Sequence, residues 1–186
     1  EECAIDEESV LIEEIVDTDA DDMLLNGDKY VFPAAVSANE YINKQWFHKY
    51  INTAAAWNKG ITGADVVVAV IDSGVNTSNP DLEANIHTHQ RNMCALDEKY
   101  RDIYTDPNNA ADDMGHGTHC AGVIAAVNNG IGVVGVAYDA KIMPIKAMSF
   151  WGDGYSEVIA ASIIDAVENG ADIISMSVGS NESDPI

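Results

Sequence analysis

Two side chains in this sequence have the types and surroundings that proton-transfer chemistry needs. Asp72 directly follows the apolar run 65–71, so it lies at the carboxyl end of a predicted buried strand, next to a glycine turn. His116 opens a predicted helix and has glycine on both sides, which leaves its imidazole accessible. A histidine whose Nδ1 bonds a carboxylate can present Nε2 to a nucleophile as a general base. Together the two residues predict a catalytic dyad.

Each residue also has a simpler interpretation. Asp72 alone could form an Asx turn or bind a ribose hydroxyl. His116 and His119 could bind a metal with a carboxylate, although the zinc-protease helix motif places its histidines four residues apart around a glutamate. A nucleotide-binding protein needs a glycine-rich phosphate loop after the first strand, and residues 72–75, Asp-Ser-Gly-Val, do not form one.

The elements that must position these residues alternate along the chain. Apolar runs at 65–71, 141–147 and 172–177 predict strands buried on both faces. Between them we predict helices from Gly117 to about Asn128 and from Ser156 to Asn169, with Ser156 as N-cap and Gly170 after the C-cap. An extended or irregular arm, 39–57, precedes them and ends in a short helix near 54–57. This order predicts a parallel sheet with covered faces, whose functional residues lie at the carboxyl ends of the strands.

Composition excludes several classes of partner. The formal net charge is -22, from 9 basic against 31 acidic residues, so no basic patch exists to bind nucleic acid or an anionic membrane. No apolar run approaches the roughly 18 residues of a membrane span. Acidic residues are concentrated in segment 1–36, which we interpret as the end of a pro-segment or a linker. The three cysteines, Cys3, Cys94 and Cys120, allow at most one disulfide.

Two long motifs connect the dyad to a known family. Val68–Leu82 (VAVIDSGVNTSNPDL) and Gly115–Ala126 (GHGTHCAGVIAA) resemble, in this chain order, the Asp and His signatures of subtilisin-like serine endopeptidases. The resemblance runs from about Gln45 to Gly179. It implies an α/β three-layer sandwich with a mainly parallel sheet, incomplete at its C-terminal end. Residues 37–186 would then be the N-terminal part of a peptidase domain.

The resemblance implies that Asp72 orients His116 and that His116 takes a proton from a nucleophilic serine. The serine's G-T-S-M-A-like motif and the oxyanion-hole asparagine do not occur by Ile186. The chain's own candidates lie outside any such motif: Ser73, Ser175, Ser177 and Ser180. We therefore expect the chain alone to lack normal turnover. A noncatalytic interaction protein with the same fold is the alternative, and the intact Asp72 and His116 favour the enzyme.

The resemblance also implies two binding sites. An extended polypeptide substrate would pair by strand addition with two segments of the cleft: Gly152, Asp153, Gly154, Ser177, Val178 and Gly179. A deeper apolar subsite would be lined by Met148, Ile159 and Val178, which could equally be ordinary core residues. A structural calcium ion would be held by the Asp81 and Asn129 side chains and by three carbonyls: Val127, Ile131 and Val133. Asn39 or Glu40 could add a ligand, and a plain surface turn is the alternative.

Other features are specific to this chain. Between Leu82 and His116 it is about twelve residues longer than compact family members, which predicts a surface loop beside the non-prime side of the cleft. Cys120 is predicted to be a buried, unbonded thiol beneath His116, where it fills space. The family also implies a secreted protein that meets the C-terminal remainder of its catalytic domain and an inhibitory propeptide.

Overall fold

Four parallel strands form a sheet within the residues that the computed structural model describes, 31–180. The strands are β1 Val67–Asp72, β2 Arg91–Asn92, β3 Lys141–Lys146 and β4 Ile173–Met176. Their spatial order is β2-β3-β1-β4, with every pairing parallel. Because the strands are parallel, all four carboxyl ends lie at the same end of the sheet, and Asp72 lies beside Lys146 there.

The described residues form four α-helices: α1 Phe47–Tyr50, α2 Thr53–Trp57, α3 His116–Ala125 and α4 Ser156–Glu168. The last two cover opposite faces of the sheet. Successive residues of β1 point to opposite faces. Val68 and Val70 pack in a cluster with the alanines of α3, whereas Ala69 and Ile71 pack in a cluster with Ala166 of α4. The predicted fold class, an α/β three-layer sandwich with a parallel sheet, is confirmed.

The N-terminal arm is more helical than its sequence predicts. A 3₁₀ turn at Ile42–Lys44 and the helix α1 precede α2, which lies where the short helix was predicted. A buried cluster fixes the arm, and its members are Val36, Ile42, Trp57 and Val134, with Phe32 and Tyr138 packed against them. The side chain of Gln45 makes two hydrogen bonds to the backbone of Val134, at 2.8 and 2.9 Å. Tertiary contacts with the segment around Val134 therefore shape the arm.

Two helix boundaries differ from the prediction. α3 ends at Ala125 rather than near Asn128, because Ala126 turns to an extended conformation and the N–H of Val127 bonds the carbonyl of Asp81 at 2.7 Å. Tyr155, not Ser156, is the N-cap of α4, and it caps with no side-chain hydrogen bond. The prediction of Ser156 as N-cap was wrong. Gly170 follows the C-cap with φ +85°, as predicted.

The observed strands differ from the prediction in two respects. β4 was predicted to be buried on both faces, yet Ile173 is 53% exposed and Met176 is 43% exposed. Within the described residues β4 pairs with β1 alone and forms one edge of the sheet, which leaves part of its surface in solvent. The short strand β2 was not predicted, because it lies in a polar stretch and pairs over two residues.

Several other expectations concern the ends of the chain and its cysteines. Most of segment 1–36 and Cys3 lie outside the described residues, although Phe32 and Val36 belong to the buried cluster of the arm. Cys94 and Cys120 are free thiols. Burial raises the pKa of Cys94 to about 11. No helix in the part that the structure describes is long and apolar enough to cross a bilayer.

Alanine substitutions at two glycines, one within α3 and one packed against its end, should have opposite effects on stability. A β-carbon on Gly135 would lie 2.5 Å from the backbone of Ala125 and Ala126, whereas one on Gly122 would meet nothing within 4 Å. Gly135→Ala should lower the free energy of unfolding by about 2 kcal/mol, because backbone must move. Gly122→Ala should raise it by roughly 0.5–1 kcal/mol through helix propensity. Urea unfolding followed by circular dichroism measures both, and equal effects would contradict the packing described.

Candidate active site

Asp72 is held rigidly at the end of the central strand. Its side chain is 1% exposed, and the N–H of Ser73 donates to Oδ1 at 2.7 Å. Its carbonyl accepts from the N–H groups of Ala147 and Met148 at 2.9 and 3.2 Å, which ties the turn after β1 to the end of β3. A buried carboxylate is stable only when it is bonded and paired. The strand geometry therefore presents one carboxylate in a fixed direction.

His116 is the partner of that carboxylate. Nδ1 lies 2.8 Å from Oδ1 and 2.9 Å from Oδ2 of Asp72. The His116 side chain is 40% exposed and lines an open cleft. Because Nδ1 is occupied by Asp72, Nε2 is the nitrogen that remains for a substrate or a nucleophile. This is the arrangement that a general base requires.

The two residues meet because Gly117 has no side chain. A β-carbon there would lie 2.1 Å from the carbonyl oxygen of Gly74 and 3.0 Å from Cβ of Asp72. The N–H of Gly117 also donates to the hydroxyl of Ser73 at 2.9 Å. The first turn of α3 thus rests directly on the turn that follows β1.

Asp112, which the sequence analysis did not single out, organises the residues before and after His116. One carboxylate oxygen accepts from the Ser73 hydroxyl at 2.8 Å and from the N–H groups of Met114 and Gly115. The other accepts from the N–H and hydroxyl of Thr118. Burial alone would raise the pKa of Asp112, but these hydrogen bonds lower it to about 2. Asp112 is therefore an anionic cap for the start of α3.

A buried lysine lies under the same turn. Lys146 is 1% exposed, and its Nζ donates to the Ser73 carbonyl and to Asp113 Oδ1, both at 2.6 Å. The ammonium also lies 4.9 Å from the ring centroid of Tyr104. A lysine inside an otherwise apolar predicted strand was the signal that could have identified this residue. A buried ammonium needs such partners to offset its lost hydration.

Cys120 and His119 occupy different positions relative to the dyad. Cys120 Sγ lies 4.0 Å from His116 Nδ1 and 3.5 Å from Ser177 Oγ, and the residue is half-buried rather than fully buried. Among the described residues, the metal-ligating side chains that approach within 4.8 Å as a group of three are Asp72, His116 and Cys120. His119 is exposed and outside this group, so the structure does not support the alternative of a metal held by both histidines.

The predicted substrate-binding residues meet in one cleft of about 730 Å³ that His116 also lines. All six line it: Gly152, Asp153, Gly154, Ser177, Val178 and Gly179. The three residues of the predicted apolar subsite, Met148, Ile159 and Val178, line it as well. Residues that lie far apart in the sequence thus come together beside the dyad. Their role in binding substrate stays a prediction.

The segment that carries Asp81 contacts the loop that carries the other predicted calcium ligands. The loop 127–133 packs against Asp81, whose Oδ2 accepts from the N–H of Val133 at 2.9 Å. A β-carbon on Gly132 would lie 2.0 Å from that oxygen, so the loop has room only for glycine there. Oδ1 of Asp81 is buried and has no hydrogen-bond donor within the described residues. A buried anionic oxygen without a donor fits a hard cation such as calcium.

The arm reaches this loop through Asn39. Its side-chain oxygen accepts from the N–H of Gly130 at 3.0 Å, and its amide nitrogen donates to Asn128 Oδ1 at 2.6 Å. Asn39 therefore already uses both ends of its amide to tie the arm to the loop. Glu40, the other predicted arm ligand, is exposed beside it.

The low pKa of Asp112 predicts a specific dependence of stability on pH. Its folded-state pKa is below the ordinary value, so its contribution is present above about pH 4 and is lost as the pH falls through about 2. Asp112→Asn should lower the free energy of unfolding by about 1–3 kcal/mol at pH 7, and the difference from wild type should narrow between pH 4 and pH 2. Urea titrations at several pH values test this, with exposed Asp102→Asn as the matched control. A difference that stays constant down to pH 2 would exclude this role.

Comparison with known proteins identifies the family. Residues 63–186 match the model of the subtilase family. An "Intracellular serine protease" of Paenibacillus polymyxa is 43% identical over 135 residues, which are 73% of this chain and 39% of that protein. Subtilisin E of Bacillus subtilis (strain 168) is 39% identical over 129 residues, which are 69% of this chain and 31% of that protein. The "Minor extracellular protease Vpr" of the same strain is 37% identical over 139 residues, 73% of this chain and 16% of that protein. The chain thus spans less than half the length of these relatives, and it belongs to the subtilase family.

Proposed function

We propose that the chain forms the N-terminal part of the catalytic domain of a serine endopeptidase. The observation that carries this proposal is the buried Asp72 carboxylate bonded to His116 at the wall of the cleft. One of the relatives above is named as a serine protease and another as a protease, which supports the same reaction class.

In this proposal each residue of the dyad has one task. Asp72 stays ionised, holds the Nδ1–H tautomer of His116 and stabilises the imidazolium that forms. His116 Nε2 accepts the proton of a serine hydroxyl as the hydroxyl attacks the peptide carbonyl, and it returns that proton to the leaving amine.

The nucleophilic serine comes from a segment outside the 186 residues in this proposal. Ser73 is unsuited to the role because its hydroxyl donates to Asp112 and accepts from Gly117. Ser177 lies at the cleft, but its hydroxyl faces the thiol of Cys120 at 3.5 Å. The isolated chain is therefore proposed to bind peptides without hydrolysing them at a normal rate.

The substrate is proposed to be an extended polypeptide. Its backbone pairs with Gly152–Gly154 and Ser177–Gly179, because strand addition supplies affinity without reading side-chain identity. Met148 and Ile159 present apolar surface in the same cleft and would receive an apolar substrate side chain.

A structural calcium ion is part of the proposal. Asp81, Asn129 and the carbonyls of Val127, Ile131 and Val133 would hold it, with a further oxygen from the arm. The ion would neutralise the donor-free oxygen of Asp81 and tie the arm to the loop 127–133. Its contribution is to stability, since it takes no part in the proton transfers of the dyad.

The proposal also includes secretion of the protein and its binding to an inhibitory propeptide. The name of the Vpr protease supports an extracellular site of action, whereas the Paenibacillus relative is named as intracellular. Fractionation of cells that express the full-length protein distinguishes the two locations.

Replacement of the base tests the catalytic proposal. In the full-length protein, His116→Ala should lower kcat/KM for a peptide substrate by several orders of magnitude, a scale established for subtilisin rather than derived from this chain. Peptide affinity should stay within about threefold of wild type, because the cleft walls are unchanged. Steady-state kinetics and equilibrium binding of a peptide inhibitor measure the two effects.

His119→Ala is the matched control, since His119 lies on the same helix but is exposed and apart from Asp72. It should retain hydrolysis. Undiminished hydrolysis in His116→Ala would refute the proposed base. A wild-type protein that binds peptides but never cleaves them would instead be a noncatalytic interaction protein.

Chelation tests the calcium proposal. Adding EDTA should lower the Tm of the chain, because a ligand present at 100 times its Kd contributes roughly 2.7 kcal/mol to the folded state. Asp81→Asn should lower the Tm in calcium and remove most of the response to EDTA, while Asp139→Asn, an exposed acid, should leave that response intact. Scanning calorimetry with and without calcium gives the result, and a wild-type Tm indifferent to both calcium and EDTA would disprove the site.

A further inference from the structure

The long loop between Asn92 and Ala110 lies against one edge of the substrate cleft. The Tyr100 hydroxyl donates to Oδ2 of Asp153 at 2.7 Å, and Nζ of Lys99 lies 3.1 Å from the same oxygen. The N–H of Phe150 donates to the hydroxyl of Tyr104 at 2.9 Å. The sequence predicted a surface loop beside the cleft but did not predict these contacts. The loop therefore reaches a residue of the proposed substrate-binding edge.

Asp153 is the point where loop and cleft meet. The residue lines the cleft between Gly152 and Gly154, and its side chain is about half exposed. Oδ1 accepts from the Ser149 hydroxyl, and Oδ2 accepts from the Tyr100 hydroxyl and from Nζ of Lys99. Partial burial alone would raise the pKa of Asp153, but these partners lower it to about 2. The side chain is an anion at neutral pH.

Lys99 supplies the compensating charge. Its ammonium lies 4.7 Å from the ring centroid of Tyr100 and 5.1 Å from that of Tyr155, so two aromatic faces hold it beside the carboxylate. Both Lys99 and Asp153 are about half exposed, so a substrate side chain can approach them.

Among the described residues that line the cleft, Asp153 is the one acid. A carboxylate without a partner in such a cleft would attract basic substrate side chains. Paired with Lys99, it leaves the edge nearly neutral beside the apolar Met148 and Ile159 of the same cleft.

We propose that Lys99 and Tyr100 are specificity-determining residues: by saturating Asp153 they make this edge of the cleft accept uncharged substrate side chains and stop it from selecting basic ones. This inference rests on the proposed function, since it needs the cleft to bind peptides. A loop that only braced the fold would change stability when altered, without changing the order of peptide preference.

The test compares matched peptides on the 186-residue chain. Fluorescently labelled hexapeptides carry leucine, lysine or glutamate at each position in turn, and anisotropy gives each Kd. Wild type should bind the leucine peptides at least as tightly as the lysine peptides. Lys99→Met keeps the apolar stem against the tyrosine rings and removes the charge. For one position in the peptide, this variant should shift the ratio of lysine-peptide affinity to leucine-peptide affinity by about three- to fivefold toward lysine. That factor is the scale of one exposed ion pair.

Three further variants test the direction of the change in peptide preference. Asp153→Asn leaves Lys99 without its partner and should shift preference toward the glutamate peptide at the same position, by a similar factor. Combining Lys99→Met with Asp153→Asn should cancel both shifts, and Lys99→Arg should retain the wild-type order. Circular dichroism confirms that each variant compared is folded.

The outcomes separate the two proposals. If peptides bind but neither Lys99→Met nor Asp153→Asn changes the order of preference, the specificity inference is wrong and the proposed function stands. If folded wild-type chain binds none of the peptides, the proposed binding function fails, and the inference fails with it.

Discussion

The close approach of the start of α3 to the turn after β1 is the constraint on which the site depends. A β-carbon on Gly117 would overlap the carbonyl of Gly74, and one on Gly74, whose φ is +106°, would lie 2.5 Å from the carbonyl of Ala110. Three backbone segments therefore touch with no room for side chains between them. The separation of Asp72 from His116 is set by these backbone contacts, which are stiffer than side-chain torsions. If His116 acts as the proposed general base, this stiffness keeps its imidazole in one orientation toward the cleft.

The parts of this arrangement that sequence could predict are those that local pattern determines. Runs of β-branched residues located β1, β3 and β4, and glycine-flanked His116 marked the start of α3. The parts that it could not predict depend on which distant segments meet. Asp112 looks in sequence like the neighbouring Asp113, yet one caps the helix through backbone N–H groups and the other pairs with Lys146. The exposure of β4 was missed for the same reason, since an apolar run cannot show how many neighbours its strand has.

The loop 127–133 is hydrogen-bonded both to Asp81 and to the N-terminal arm. Asp81 accepts from the backbone of Val133 through Oδ2, and its carbonyl accepts from Val127. On the other side of the loop, the N–H of Tyr41 in the arm donates to the carbonyl of Gly132 at 2.9 Å. The arm, the loop and the segment after β1 are thus joined mainly through backbone groups. The donor-free oxygen of Asp81 is the exception to this satisfied network, and a buried unsatisfied anion is costly enough to favour a bound cation.

Three carboxylates lie near His116 in a chain that is already strongly acidic, and their separate partners explain how they coexist. Asp72 is paired with the imidazole, Asp112 with neutral N–H and hydroxyl donors, and Asp113 with the ammonium of Lys146. Had all three carboxylates faced one another, their negative charges would have repelled one another. Lys146 matters most here, because it also bonds the carbonyl of Ser73 and so places a positive charge directly beneath the turn after β1. A buried lysine is costly in isolation, but in this position it offsets negative charge where the proposed reaction needs one carboxylate alone to act on His116.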